Sequence, residues 1–290
     1  MIERCDVAIV GARCAGAALA TFLARRGVSV VVVDKSKLPS EHVLSTHTVH
    51  PSGMAMMDEL GLGDAVRRHS PEMRTIRFDW QGAALDLTLP RGHGEHCPRR
   101  KRFDGLLQDA AREAGATLLE RTTARALIYT AGRVAGVELE GPDGARTTLH
   151  ARIVVGADGR NSRLASWLNA EEYLGYEAPR GMYWGYFRAP PGWGASADPL
   201  GALRAALVVD PMLRDAVSQA PLELVRGYLR ERYFVRRAAG PGWLLLGDAA
   251  LHKEISEARP ARATRDARPR ETPRATRRAR ARRRHVTPLD

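Results

Sequence analysis

The start of the chain has the pattern of a β-strand, a glycine-rich turn, a helix and a second β-strand, and this unit constrains the fold more than any other segment. Residues 7–10 are a short apolar run, and residues 28–33 are a longer run, apolar apart from Ser29, that stops at Asp34. Between them, Gly11 and Gly16 precede apolar residues that recur at helical spacing. A strand, a helix and a strand in this order predict an α/β fold with a mostly parallel sheet.

The same unit has the chemistry of a nucleotide-binding turn. Gly11 permits a tight turn, Gly16 lets the helix pack close to the sheet, and the N-terminus of the helix would face a pyrophosphate. Asp34, 23 residues after Gly11, is placed to accept a hydrogen bond from an adenosine ribose hydroxyl. NAD and FAD satisfy this motif equally, and a purely structural unit is the alternative.

The turn departs from the usual G-x-G-x-x-G pattern at one position. Arg13 stands where the middle glycine normally lets the backbone approach the pyrophosphate. We therefore expect the turn to differ somewhat in shape, although an arginine can donate to a phosphate. The residues predicted to bind the cofactor in this unit are Gly11, Ala12, Arg13, Cys14, Ala15, Gly16, Asp34 and Lys35.

Periodicity and turn residues predict the other elements along the chain. They favour helices at 51–60, 100–114 and 200–229, paired strands at 75–80 and 84–89, a meander over 124–129, 134–140 and 145–150, and short buried strands at 153–155 and 243–246.

Composition narrows the class of protein. No apolar run approaches the roughly 20 residues that span a bilayer, and the first apolar run leads directly into the glycine turn, unlike a secretory signal. Cys5, Cys14 and Cys97 lack metal-ligand spacing and are expected to be reduced thiols in the cytoplasm. The histidines between residues 42 and 50 lack the cysteines or carboxylates that would complete a metal site, so no metal is expected.

Two further segments have an apolar strand that ends in glycine and aspartate. Residues 153–155 lead into Gly-Ala-Asp-Gly, and residues 243–246 lead into Gly-Asp. Open α/β sheets bind ligands at the carboxyl ends of their parallel strands. Together, the three motifs resemble the FAD-dependent monooxygenases and oxidoreductases with the p-hydroxybenzoate hydroxylase fold, including the geranylgeranyl-reductase-like enzymes. The resemblance covers about residues 5–188 and 241–253.

The resemblance implies a role in FAD binding for each motif. The glycine turn and Asp34 would hold the ADP half of the cofactor. Asp158 and Gly159 would lie near the pyrophosphate and the path of the reductant. The Asp248 carboxylate, which follows Gly247, would hydrogen-bond the ribityl chain.

Two more segments are implied to contact the cofactor. Arg100 begins a run that matches the family's R-x-x-L motif at the start of a helix, with Phe103 in place of leucine, and it would contact the flavin side. The loop with Ser45, Thr46 and His47 resembles the segment that passes the ribityl and isoalloxazine groups. Because charge runs are usually solvated helix faces, the arginine alone is a weak signal.

The function implied by the resemblance is that of an FAD-binding oxidoreductase that takes electrons from NAD(P)H. The sequence has no second glycine fingerprint, so NAD(P)H is expected to dock transiently as the reductant, as in the family. The reaction would be hydroxylation of a small organic substrate through a flavin hydroperoxide, or reduction of an alkene, with no side chain assigned as catalytic. The alternatives are an NAD-dependent dehydrogenase that uses only the first fingerprint, and a nucleic-acid-binding protein driven by a basic tail.

The expected architecture is a Rossmann-like FAD-binding domain over residues 1–178, completed by residues 241–253, with a mostly parallel sheet and a β-meander. Residues 179–240 would form a shortened substrate-side domain with few strands. Residues 254–290 would be a basic tail outside the packed fold, because they contain few large apolar side chains.

The net charge of +12 lies mostly at the C-terminal end. Residues 251–290 hold 13 Lys and Arg against 5 Asp and Glu, a net +8, so the rest carries only +4 and gives no sign of specific nucleic-acid binding. From Ala258 the chain is mostly Arg, Ala, Thr and Pro. This composition fits a nucleic-acid-binding arm, a solvated tail without function, or out-of-frame translation of GC-rich DNA. The change occurs inside a family motif, which favours the third interpretation and an impaired enzyme.

Overall fold

A computed structural model describes residues 3–40, 48–80, 83–177, 181–187, 222–229 and 232–253. The helices are α1 (Cys14–Ala24), α2 (Pro51–Glu59), α3 (Gly63–His69), α4 (Arg100–Glu113) and α5 (Arg163–Trp167). The strands are β1 (Arg4–Val10), β2 (Val30–Val33), β3 (Thr75–Trp80), β4 (Ala83–Thr88), β5 (Thr117–Leu119), β6 (Thr123–Thr130), β7 (Arg133–Glu140), β8 (Arg146–Gly156), β9 (Glu172–Glu177), β10 (Gly181–Phe187), β11 (Leu222–Leu229), β12 (Arg232–Arg236), β13 (Ala239–Gly240), β14 (Trp243–Leu245) and β15 (Leu251–His252).

An eight-stranded sheet organises the described chain. Five neighbouring strands, in the order β14-β8-β1-β2-β5, run parallel. Strand β13 pairs antiparallel with β14, while β6 and β7 form an antiparallel meander that joins the sheet through β8. The predicted α/β class, with a mostly parallel sheet and a meander, is confirmed.

Residues 7–10 of β1 and all of β2 lie inside the sheet because their side chains are apolar on both faces. All four valines of β2 are at most 3% exposed, and β-branched residues suit a strand that is covered on both sides. Ile9 and Val32 face α1, where Ala20 is fully buried, and Ala8 and Val31 face the meander. Small residues on α1 allow the helix to lie close to the sheet, which brings its N-terminus to the carboxyl edge.

The sequence-based division of residues 145–156 into two strands is wrong. The structure has one strand, β8, of 11 residues. Its first half pairs antiparallel with β7, and its second half pairs parallel with β1 and β14. Different partners therefore account for the apparent break, since the pattern of buried side chains changes where the neighbouring strand changes.

The predicted helix over residues 200–229 is also wrong at its end. Residues 222–229 form β11, which pairs antiparallel with β10, while residues 200–221 lie outside the described residues. Strands β10, β11 and β12 all fall in the segment expected to hold few strands. Pairing with a segment distant in sequence decides this structure, and local periodicity does not report it.

Several further elements were not predicted, namely α3, α5, β5, β9, β10, β12, β13 and β15. The last of these follows the Gly247-Asp248 turn directly and pairs with β12, which also pairs with β9. The turn therefore connects the central sheet to a small three-stranded sheet. Within the described residues, no helix has the length and apolar character needed to cross a membrane.

Candidate cofactor-binding site

The three sequence motifs meet at one edge of the central sheet. Because β14, β8, β1 and β2 are parallel, the turns that follow them all lie at the carboxyl edge. A backbone hydrogen bond of 2.8 Å joins each turn to the adjacent strand end: Leu246 N–H to Gly156 C=O, Ala157 N–H to Val10 C=O, and Gly11 N–H to Val33 C=O.

Close backbone packing explains the two glycines of the first turn. Gly11 has φ +109°, a conformation that side chains of L-residues rarely adopt. A Cβ on Gly11 would overlap the carbonyl oxygen of Ala157, and a Cβ on Gly16 would overlap the carbonyl oxygen of Gly11. The glycine turn therefore packs directly against the turn after β8, and only glycine fits at these two positions.

The N-terminus of α1 is open to an anion. Among the described residues, no side chain caps the N-terminus of this helix, and the first helical turn of α1 contains no acidic residue. The first amides of a helix lack intrahelical partners and carry a partial positive charge, so they suit a pyrophosphate. Arg13 precedes the helix, and its Nε donates to Ser40 Oγ at 3.3 Å.

Asp34 is fixed at the end of β2 by two backbone amides. Its Oδ2 accepts from Ala12 N–H at 2.9 Å, and its Oδ1 accepts from Ser36 N–H at 2.8 Å. Each carboxylate oxygen can accept a second hydrogen bond. The carboxylate thus holds the glycine turn and keeps acceptor capacity for ribose hydroxyls. Lys35 follows as an exposed residue.

Asp158 has a structural role that the sequence did not indicate. Its Oδ2 accepts from the N–H groups of Arg163 and Leu164 at 2.8 and 3.3 Å, so it helps to cap α5 together with Ser162. Its Oδ1 is buried and has no hydrogen-bond partner among the described residues. A buried acceptor normally has a donor, and a bound ligand could supply one. Space beside Gly159 is open, since a Cβ there would touch nothing within 4 Å.

The turn after β14 completes the edge. Gly247 has φ +60°, and a Cβ on it would lie 3.1 Å from the Cβ of Ala15, so this turn abuts the N-terminus of α1. The side chain of Asp248 is 60% exposed, and its Oδ2 lies 3.5 Å from Nδ1 of His252. The exposed carboxylate is available to ligand hydroxyl groups.

Helix α4 brings a polar cluster to the same place. Arg100, the predicted contact on this helix, pairs with Asp104, and Asp104 accepts from the Cys14 thiol of α1. Gln108 Nε2 donates to the carbonyl of Ala12 at 2.8 Å. Sequence reasoning missed Asp104 and Gln108, although with Arg100 they form a polar stripe at helical spacing on an otherwise apolar face.

The structure thus brings together most of the residues predicted to bind the cofactor. Those at or beside the carboxyl edge are Gly11, Ala12, Arg13, Cys14, Ala15, Gly16, Asp34, Arg100, Asp158, Gly159, Gly247 and Asp248. The loop residues Ser45, Thr46 and His47 lie outside the described residues. The described residues contain no group of three or more His, Cys, Asp or Glu side chains that could hold a metal ion.

Comparison with known proteins identifies the family. Residues 4–184 match the family model described as an FAD binding domain. The chain belongs to this family. The predicted resemblance is thereby confirmed, and FAD is the cofactor. The open N-terminus of α1, the tightly packed Gly11 and Gly16, and the buried Asp158 oxygen that has no partner among the described residues fit such a dinucleotide.

Curated relatives of this FAD-binding chain include reductases and hydroxylases. It is 28% identical over 291 residues to digeranylgeranylglycerophospholipid reductase 2 of Methanopyrus kandleri, covering 84% of this chain and 70% of the relative. It is 32% identical over 170 residues to a 3-(3-hydroxy-phenyl)propionate/3-hydroxycinnamic acid hydroxylase of Burkholderia vietnamiensis, covering 54% of this chain and 26% of the relative. A probable electron transfer flavoprotein-quinone oxidoreductase of Escherichia coli is 31% identical, and this chain spans 38% of its length.

Solved structures share the fold. The myxobacterial chondrochloren halogenase CndH superposes with a TM-score of 0.69 at 18% identity, covering 87% of this chain and 70% of that one. The flavin-dependent monooxygenase PieE superposes with a TM-score of 0.66 at 17% identity, covering 87% of this chain and 54% of that one. These comparisons support the class of FAD-dependent oxidoreductases, rather than a NAD-dependent dehydrogenase or a nucleic-acid-binding protein.

Proposed function

We propose that this chain holds FAD along the carboxyl edge of its central sheet and takes electrons from NAD(P)H. It uses them either to hydroxylate a small organic substrate with dioxygen as the oxidant, or to reduce an alkene. The observation that carries this proposal is the convergence of the three Gly/Asp turns at that edge. Hydroxylation and alkene reduction both fit, since the relatives include hydroxylases and reductases.

Each turn has a distinct task in this proposal. The amides at the N-terminus of α1 bind the pyrophosphate, and Asp34 binds the adenosine ribose. Asp248, in the turn after β14, binds the ribityl hydroxyls. Arg100 supplies a positive charge near the flavin. Bound FAD would supply the redox chemistry, while these side chains bind and orient it.

We also propose a division of the chain into three parts. The FAD-binding domain comprises residues 1–178 and 241–253, residues 179–240 face the substrate, and residues 254–290 lie outside the packed fold. No disulfide joins Cys5, Cys14 and Cys97, all of which are described, and reduced thiols suit the cytoplasm.

A flavin assay tests the proposal. The full chain, incubated with FAD and freed of excess by gel filtration, should retain a visible flavin absorbance with a shifted spectrum. Addition of NADPH or NADH under anaerobic conditions should bleach that band. A protein that stays colourless after this treatment would contradict FAD binding. A yellow protein that neither nicotinamide reduces would contradict the proposed reductant and leave FAD binding intact.

A further inference from the structure

Helix α4 carries a polar stripe that faces the glycine turn. Arg100, Asp104 and Gln108 follow one another at intervals of four residues, so they lie on one face of the helix. Asp104 and Gln108 are both fully buried, and the Arg100 side chain is only 15% exposed. Polar residues so deeply buried require specific partners.

Asp104 joins two helices through its hydrogen bonds. It binds Arg100 in a bidentate manner, with Nη2 at 3.1 and 3.0 Å from its two oxygens and Nε at 3.3 Å. It also accepts from the thiol of Cys14, the first residue of α1, at 2.9 Å. The carboxylate therefore fixes the guanidinium of α4 relative to the N-terminus of α1.

The Cys14 thiol serves as a donor in this arrangement. Burial raises the pKa of Cys14 to about 12, with the Asp104 charge adding to the effect. The thiol is therefore protonated near neutral pH and can donate to the carboxylate. Hydrogen bonds from a neighbouring element restrict the orientation of Asp104, which a simple pair within one helix would not do.

The Arg100 guanidinium shares the Asp104 carboxylate with Cys14 of α1, and it also interacts electrostatically with Asp248. Burial lowers the pKa of Arg100, but the carboxylates of Asp104 and Asp248 favour the charged guanidinium and leave the pKa raised, so the group is always charged. Its hydrogen bonds to Asp104 use Nε and Nη2, and Nη1 lies outside that pair. A charged donor is thus held at the edge where the cofactor-binding turns meet.

We propose that Asp104, fixed by the Cys14 thiol, is a positioning residue that orients Arg100 toward the flavin side of the cofactor. The proposal rests on the FAD-binding function given above and adds a residue that does not itself touch the cofactor. In this proposal, two sets of side chains act on different parts of FAD. Asp34 and the glycine turn serve the ADP half, while Asp104 acts through Arg100 on the remainder.

Comparing the binding of FAD with that of ADP tests this division of roles. Asp104→Asn removes the charge that holds Arg100, and the loss of a charged hydrogen bond corresponds to about ten- to a hundredfold in affinity. By calorimetric titration we expect FAD to bind about ten- to a hundredfold more weakly and ADP to bind within about twofold of wild type. Asp109→Asn, on the exposed face of the same helix, is the matched control and should leave both affinities unchanged.

A double-mutant cycle distinguishes positioning from general structural damage. In an Arg100→Ala background, Asp104→Asn should weaken FAD binding by no more than about twofold, because the residue through which it acts is gone. An equal loss in both backgrounds, or an equal loss for FAD and ADP, would overturn the proposal. If the wild-type chain binds neither ligand, the FAD-binding function itself fails, which is a separate outcome.

If Asp104→Asn does not fold, two variants of Cys14 test the same proposal. Cys14→Ala removes the donor to Asp104 and should weaken FAD binding while ADP binding holds. Cys14→Ser restores a donor and should recover most of that loss. If the serine and alanine variants bind FAD equally, the thiol does not fix Asp104 and the proposal is wrong.

Discussion

Replacing Asp34 with alanine removes the acceptor of two backbone amides, one in the glycine turn and one after β2. In the folded protein the carboxylate accepts from Ala12 N–H at 2.9 Å and from Ser36 N–H at 2.8 Å. Ala12 is only 1% exposed, so water cannot easily replace the lost acceptor. An unsatisfied buried donor costs about 1–3 kcal/mol. We expect urea denaturation of the ligand-free protein to show a free energy of unfolding lower by about that amount.

The same substitution removes the proposed ribose contact. A hydrogen bond to a charged acceptor contributes about 1.5–3 kcal/mol, or roughly ten- to a hundredfold in Kd. We expect Asp34→Ala to weaken ADP binding by this factor in a calorimetric titration carried out without denaturant. FAD should lose affinity by the same factor, because both ligands contain the adenosine ribose.

A ligand without ribose hydroxyls shows whether the loss arises at the ribose. We expect 2′,3′-dideoxy-ADP to bind wild type weakly and to lose little further affinity in Asp34→Ala, because the interacting groups are already absent. Asp64→Ala, which alters an 85% exposed side chain on α3, should leave both affinities unchanged. If Asp34→Ala weakens ADP and the dideoxy ligand by the same factor, the loss comes from a disturbed turn and the reasoning is refuted.

Two other predictions concern Asp158 and the cysteine thiols. Asp158→Ala removes the acceptor for the N–H groups of Arg163 and Leu164, so the free energy of unfolding should fall by about 0.5–2 kcal/mol in urea denaturation; an unchanged midpoint would contradict the capping role. Burial raises the pKa of Cys14 to about 12 and that of Cys5 to about 11, so both thiols are neutral until the pH rises toward those values. Maleimide labelling of the folded protein near neutral pH, mapped by mass spectrometry, should be slow at both sites, and rapid labelling of Cys14 would contradict this expectation.

The strands and turns of the cofactor edge could be predicted because their signals are local. A continuous apolar run followed by glycine and aspartate marks the end of a buried parallel strand, and such ends gather at one edge. Asp34 and Asp248 are both found there. The role of Asp158 in capping α5 was not predictable in the same way, because the N–H groups that donate to it are positioned by the path of the following loop.

The polar cluster on α4 and the strand β11 could not be predicted, because each depends on a partner distant in sequence. Asp104 and Cys14 are 90 residues apart, and Gln108 and Ala12 are 96 residues apart. An amphipathic helix pattern shows which residues are apolar but does not show which polar ones are buried against a neighbour. Strand β11 likewise takes its conformation from pairing with β10.

The arginine at the middle position of the fingerprint shows which positions in this turn require glycine. Arg13 has φ −90° and ψ −164°, an extended conformation open to any residue, so its side chain introduces no backbone strain. Gly11 has φ +109°, and Gly16 packs directly on the Gly11 carbonyl, so both exclude a Cβ. Only the outer two positions of the turn therefore require glycine. The middle position can carry a charged side chain, which lies beside the helix N-terminus that would bind a pyrophosphate.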